Sequence, residues 1–538
     1  MSFPDEPYKA LCDILGEEYV TRDEAITMAY SRCFISIDMI PPKCIVRPAE
    51  VSEIQQIYRL ANHYNFKVIP TGTNFVSTAQ PATKEYDYVT IDPKRMDGLW
   101  IDEQNMMAVV EPYVTAGRLQ MEAMKRGLTC YIASAGAQIS VLTNLIYNGF
   151  HMQSYRLGSG SRSMLAMEWV LPNGEIVHTG SAAVLDDDFF WGEGPVSDLR
   201  GMFKGSYGYF GGMGMCVKIG IKLFPYPGPK KFPCEGTSPD FRVNFPEDRF
   251  RTFLIDFDTM DDCVNSIYEV GHAEIAARNV HMANSWIPMI KSLCREEYFE
   301  LRDSEEYKRQ AHNLQVVVLE AITSPKQLDY EESVLKDIIK ENKGRFITGP
   351  LLDYTASMVS PCLLYRPALL YRGFRVGGSF TCIKMPLDSV DHAALVTKNA
   401  KKLNARLLKN RQPPIFDDGG GSNYISPYDF GHCAHMELPV LYEKSFDVTK
   451  TGARIMAAQA VEDLYSGTHP GGYLFSFMPD LMGPLMGKFH THIRKIKEAF
   501  DPNLIANPPW PVYVYGRGLK GLRKRLKSYW KVVTRGEL

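Results

Sequence analysis

No stretch of this 538-residue chain approaches the ~20 consecutive apolar residues that a membrane-spanning helix requires. Its first residues, MSFPDEPYKALCDILGEE, lack a basic segment followed by an apolar one, so they do not read as a secretory signal and the expected compartment is the cytoplasm. Close-spaced cysteine pairs are missing as well. The 11 cysteines stand singly, which argues against an iron-sulfur cluster or structural zinc and for reduced, packed thiols. Neither HExxH nor GxxxxGK followed by Ser or Thr occurs, which argues against zincin and P-loop chemistry. Charge of one sign is in no excess: Lys+Arg number 60 and Asp+Glu 62, and no nucleic-acid partner is expected from a net charge of -2.

The composition present, 45% hydrophobic and 23% charged, is that of a soluble globular protein, and the length calls for two or three domains. Residues 4 to 30 read as helical. From Cys44 the pattern turns to a strand, a helix at Ser52 to His63 and a strand at Lys67 to Ile69, a βαβ rhythm that implies mixed α and β structure. Strands are expected at Tyr88 to Ile91, Met107 to Glu111, Met167 to Leu171 and Cys216 to Phe224. PYPGPKKFP then reads as a domain boundary, which gives a first domain over 1–230 and a second over 231–499. Within the second, Gly378 to Leu403 and Gly431 to Leu464 each run strand, proline turn, helix, as the two halves of a split βαβ sheet would. DDGGGSN between them is a flexible loop, and 500–538 forms a closing segment with a basic tail.

Three segments follow one another in a telling order: VVEPYVTAGRL at Val109, SVLTNLIYNG at Ser140 and VLPNGEIVHTG at Val170. With PTGTNF at Pro70, KGSYGYFG at Lys204 and MGMCVKIGI at Met213, they resemble the flavin-binding domain of the vanillyl-alcohol oxidase / p-cresol methylhydroxylase superfamily, which includes FAD-linked glycolate and D-lactate dehydrogenases. The resemblance implies an α+β fold, with a PCMH-type FAD-binding domain of two subdomains and a ferredoxin-like antiparallel-sheet cap. DPN followed by NP near residue 501 resembles the return of the chain to the flavin domain, which is then discontinuous in sequence.

Glycine turns allow backbone N–H groups to approach phosphate oxygens closely. The resemblance assigns the phosphate loop to Pro70, Thr71, Gly72, Thr73, Asn74 and Phe75. It sets Gly136, Ser140, Val141, Asn144 and Gly149 along the pyrophosphate and flavin ring, and Gly205, Ser206 and Gly208 over the flavin. Gly214, Val217 and Asn507 complete the set. The bland alternatives are an ordinary loop and a buried helix whose Asn caps a neighbour. Ala135 and Ser77 stand where the phenol-oxidising branch has an aspartate and a tyrosine, and GGYLFSFMPD lacks its Tyr-Arg pair, so a non-phenolic substrate is expected. The loop contains no histidine or cysteine, and Ser379 stands where a linking histidine would sit; FAD is expected to be non-covalent.

His435 is the expected base, because a neutral imidazole can take an alcohol proton. Arg375 and Tyr365, with Arg366, Tyr371 and Arg372, are candidates to clamp and position a substrate carboxylate, with surface ion pairing as the alternative. The glycolate branch has a GHxGDGNxH segment that can bind metal. Here Gly431-His432 remains but GDGN does not, so no metal is expected, with His432 and His435 as its only candidates. The basic amphipathic stretch Arg517 to Arg535 either contacts an anionic membrane or an acidic redox partner, or packs on its own domain. The expected activity is an FAD-dependent dehydrogenase that takes hydride from an alcohol or 2-hydroxy acid-like substrate and passes electrons to a protein or quinone. An aryl or alkyl alcohol oxidase using oxygen and a non-catalytic flavin subunit are the rivals. A homodimer is left open.

Overall fold

The computed structural model describes residues 3–31, 40–74, 87–133, 136–147, 149, 151, 153–184, 192–194, 197–205, 208, 210–237, 241–366, 375–377, 379–382, 387–409, 416–418, 423–437, 439–442 and 489–507. The first subdomain is a four-stranded sheet in the order Val20–Thr21, Cys44–Val46, Tyr88–Ile91, Lys67–Pro70, parallel across its last three strands. Helix Val51–Tyr64 packs on it because Ile54, Ile57, Tyr58 and Ala61 fall on one face; a Glu50/Glu53 capping box opens the helix and left-handed Asn65 ends it. The second subdomain is an antiparallel sheet in the order Leu99–Asp102, Met107–Val110, Met215–Lys222, Met164–Val170, Ile176–His178.

The single helix expected over residues 4 to 30 is two. Gly16, at φ 93°, stops the first helix after Leu15; Val20–Thr21 then pairs with Ile45–Val46, and the Asp23 carboxylate caps Glu24–Tyr30 by accepting from the Ala25 and Ile26 N–H groups. Both signals, the Gly and the Asp, are ordinary punctuation in the sequence.

The cap is a seven-stranded antiparallel sheet. Its order is Arg345–Ile347, Phe250–Phe257, Asn313–Glu320, Arg278–Met282, Tyr424–Tyr428, Cys433–Glu437, Leu387–Asp388. Its first four strands, with helices Met260–His272 and Pro325–Glu341, make a complete ferredoxin-like unit that the strand-turn-helix repeat did not reveal. The two repeat segments supply Leu387–Asp388 with helix Val390–Lys409, and Cys433–Glu437, of a second unit joined edge to edge with the first. The stretch 443–464 of that repeat lies outside the described residues. Helices cover one face of the sheet, burying Ile255, Val317, Ile425 and Met436. The other face, with Val280, Met282, Leu314 and Val316, joins the core of the second subdomain through Leu142, Trp169 and Phe203. Among the described residues no helix is long and apolar enough to cross a membrane.

Candidate active site

The strand Lys67–Pro70 delivers the chain to the turn Thr71 to Asn74, where the Thr71 N–H donates to the Ile91 carbonyl at 2.9 Å and Asn74 is left-handed at φ 55°. Among the described residues, the N–H groups of Gly72, Thr73 and Asn74 donate to no protein acceptor. Consecutive free backbone donors of this kind form an anion-binding concavity. The Ser140 turn closes on it: a Cβ at Gly72 would stand 2.7 Å from Thr143 Oγ1. Ser140 Oγ accepts from the Thr143 N–H at 3.1 Å and donates to the Pro112 carbonyl at 2.6 Å, capping helix Val141–Ile146. From a third side Gly211, at φ 71°, packs where a Cβ would meet the Pro70 ring at 2.4 Å.

The other residues expected at the flavin site make contacts of their own. Gly149 N–H donates to the Asn144 carbonyl at 2.8 Å, and Gly205 N–H to the Ile146 carbonyl at 2.6 Å. Gly208 abuts Phe203 and Trp169, Gly214 abuts Val170, and Gly136 lies in the turn whose Ala137 carbonyl receives the Gly117 N–H. Asn507 is buried; its N–H donates to the Val68 carbonyl at 2.9 Å and its Nδ2 to the Phe210 carbonyl at 2.6 Å. Val217 is core, packed with Ile505 and Ala506 rather than lining the concavity. Phe75, Ser206, Ser77, Ala135 and GGYLFSFMPD lie outside the described residues, and no side chain is described at Ser379. The segments around Gly72, Ser140 and Gly211 thus meet in one cradle, whose N–H donors, unpaired among the described residues, fit a dinucleotide diphosphate.

The cap face turned toward this domain carries the ionisable groups. Cross-strand register sets Tyr424 opposite Glu437, Ser426 opposite His435 and Tyr428 opposite Cys433, all on that face. Met282 faces Tyr424, so continuing the antiparallel register brings Arg278 to Tyr428. His435 is buried, and its Nε2 lies 3.0 Å from Glu437 Oε1. A carboxylate accepting Nε2–H leaves Nδ1 as the basic nitrogen. The imidazole stacks on Tyr428, with ring centroids 6.2 Å apart. Arg278 is wholly buried beside Tyr424 and Tyr428, and burial pulls its guanidinium down to about 10.

His432 is exposed, outside the strand, while His435 is buried; among the described residues the two join no cluster of three candidate metal ligands. Tyr365 sits in an aromatic cluster with Tyr226, Phe245 and Phe250, its hydroxyl donating to Glu320, which also accepts from Arg156 at 2.8 Å. Burial raises both the Tyr365 hydroxyl and the Glu320 carboxyl. Arg375 is half-buried and donates to the Ile290 carbonyl at 3.1 Å; Arg366 reaches the Phe241 carbonyl; Tyr371 and Arg372 are outside the described residues. Arg278, Tyr424 and Tyr428 were not anticipated. RNVHM and YISPY look like ordinary strands, and only the register shows their polar side chains on the inner face.

Residues 42–180 match the family described as FAD binding domain. Over 224 residues the chain is 25% identical to the glycolate oxidase subunit GlcD of Bacillus subtilis, a match covering 41% of this chain and 45% of that protein. The chain therefore spans less than half the length of that relative. A D-lactate dehydrogenase of Anaerostipes hadrus is 19% identical over 481 residues, 87% of this chain and 89% of the other. The solved structure of p-cresol methylhydroxylase with substrate bound superposes with a TM-score of 0.74 at 18% identity, over 94% of this chain and 96% of that one, which establishes the shared fold.

Proposed function

From a chain that carries the FAD-binding domain of the PCMH-type superfamily, we propose an FAD-dependent dehydrogenase that oxidises the hydroxyl-bearing carbon of a small 2-hydroxy acid. The observation that carries this reading is the buried cation and base on one sheet face: Arg278 and the His435–Glu437 pair, separated by Tyr428. The Arg278 guanidinium, buried beside Tyr424 and Tyr428, would give an incoming carboxylate charge-assisted hydrogen bonds. His435 takes the hydroxyl proton through Nδ1 while Glu437 stabilises the resulting imidazolium. Bound FAD supplies a two-electron acceptor for the hydride leaving the same carbon.

Tyr365, joined to Glu320 and Arg156, ties the cap to the flavin domain and keeps that face in place. The cradle around Gly72 would hold FAD without a covalent link, and the electrons taken from substrate would pass to a protein or quinone acceptor. The test is anaerobic bleaching of the flavin by a panel of 2-hydroxy acids, aryl alcohols and phenols. Bleaching by the acids alone, lost in Arg278→Met, is expected. Bleaching by aryl alcohols instead would favour an alcohol oxidase, and no bleaching by any member a flavin subunit without its own substrate.

A further inference from the structure

The inner cap face and the segment after the Ser140 element meet around side chains that the chemistry above does not use. His151 is wholly buried; its Nε2 meets the Gly158 carbonyl at 2.8 Å, so Nε2 carries the proton and Nδ1 is an acceptor. Among the described residues no hydrogen bond of good geometry reaches that Nδ1. Burial first, and then the nearby Arg278 charge, hold the ring neutral by lowering it to about 3. Gln153, 4% exposed, lies against His151 and raises its basicity as a side-chain hydrogen-bond partner, and its amide atoms have no other partner among the described residues. Ser426, wholly buried and opposite His435 across the strands, has an unbonded hydroxyl.

Each buried polar atom left unmade costs about 1–3 kcal/mol, a cost that ligand hydroxyls reaching His151, Gln153 and Ser426 would recover. An acid with one carboxylate and one hydroxyl is consumed by Arg278 and His435. It leaves nothing for an acceptor at His151, an amide at Gln153 and a hydroxyl at Ser426. We propose that the substrate is a polyhydroxylated carboxylic acid, with at least one hydroxyl besides the one oxidised, and that His151, Gln153 and Ser426 read the additional hydroxyls. This rests on the hydroxy-acid reading of the same site.

Two acids without a hydrogen on C2 separate the two ideas, because neither can give up hydride there: 2-hydroxyisobutyrate, and 2,3-dihydroxy-2-methylpropionate, which adds one hydroxyl. Calorimetric titration of the FAD-loaded protein should show the dihydroxy acid binding about tenfold tighter or more, in line with a buried hydrogen bond. In Gln153→Leu and Ser426→Ala the ratio should fall toward one. His151→Asn, which keeps an acceptor near the Nδ1 position, should preserve more of it than His151→Ala. Equal binding of the two acids by the native protein, with ordered water satisfying the three side chains, would overturn the proposal and leave the hydroxy-acid reading standing. A preference that persists in all four variants would also overturn it. If neither acid binds, the hydroxy-acid reading fails and the proposal falls with it.

Discussion

At the scale of single residues, the base and the cradle differ in how visible they are before folding. His435 stands out in HCAHME because alternation sends it and Glu437 to one face, and the strand Cys433–Glu437 forms there, joined by a 3.0 Å contact. Replacing His435 by Gln should leave FAD bound while slowing anaerobic flavin reduction by about 10²-fold, the usual scale for loss of a general base. Stopped-flow reduction at the native rate would remove it from the mechanism. Gly72 is legible for a different reason: glycine between a strand and a polar turn signals close backbone approach, and here the space a Cβ needs is taken by Thr143. Gly72→Val should therefore yield protein with little or no FAD, read from the flavin absorbance per polypeptide; full occupancy would count against the phosphate loop. Arg278 had no such signal, because a lone arginine inside RNVHM reads as a surface residue until the neighbouring strands are known.

At the scale of elements, local sequence foretold six strands of the flavin domain, each short and bounded by turn residues, but not the edge strands Leu99–Asp102 and Ile176–His178. It failed for the first cap unit, whose strands Phe250–Phe257, Arg278–Met282 and Asn313–Glu320 are separated by up to a 30-residue excursion of short helices and carry no motif. Helix Phe489–Phe500, most of which falls inside the bounds 231–499 drawn for the second domain, contacts Phe203 and Gly212 of the first. Its buried Lys497 donates to Asp501 Oδ2 at 2.6 Å and to the carbonyls of Gly212 and Ala506. Ala506 bridges Val68, one strand turn before the phosphate loop, so this one ammonium ties the returning segment to two walls of the cradle. Removing it leaves the buried Asp501 carboxylate without its counter-charge, held only by the Ile505 and Ala506 N–H groups, a change that costs about 3–5 kcal/mol in such pairs. Lys497→Met should lower the melting temperature and release FAD more readily, measured by fluorescence of free flavin on dilution, and the double variant with Asp501→Leu should recover part of both. Unaltered FAD release in Lys497→Met would confine the pair to an incidental role.

At the scale of the whole molecule, the basic tail and the buried histidines bear on how the protein meets its surroundings. Residues 508–538 lie outside the described structure, yet Arg517 to Arg535 concentrates cations in a chain of net charge -2. Truncation after Tyr515 should keep FAD content and reduction by substrate but weaken binding to anionic liposomes, with the difference shrinking at high salt. Loss of FAD on truncation would assign the tail to the fold instead. Acid stability gives the last test. His151 and His281 are both wholly buried, and burial lowers each from 6.5 to about 3, aided by Arg278 in the first case and Lys401 in the second. The folded chain therefore binds fewer protons than the unfolded chain between about pH 3 and 6.5, and stability must fall as pH drops through that window. By pH 5 each imidazole withholds about 2 kcal/mol relative to neutral pH, at 1.36 kcal/mol per pH unit. Denaturant titrations at pH 7 and pH 5 should show that loss shrinking by about 2 kcal/mol in His281→Asn, which has no proton to take up. An unchanged loss in the variant would mean that His281 is protonated in the folded protein, and that the polar layer around it is open to water.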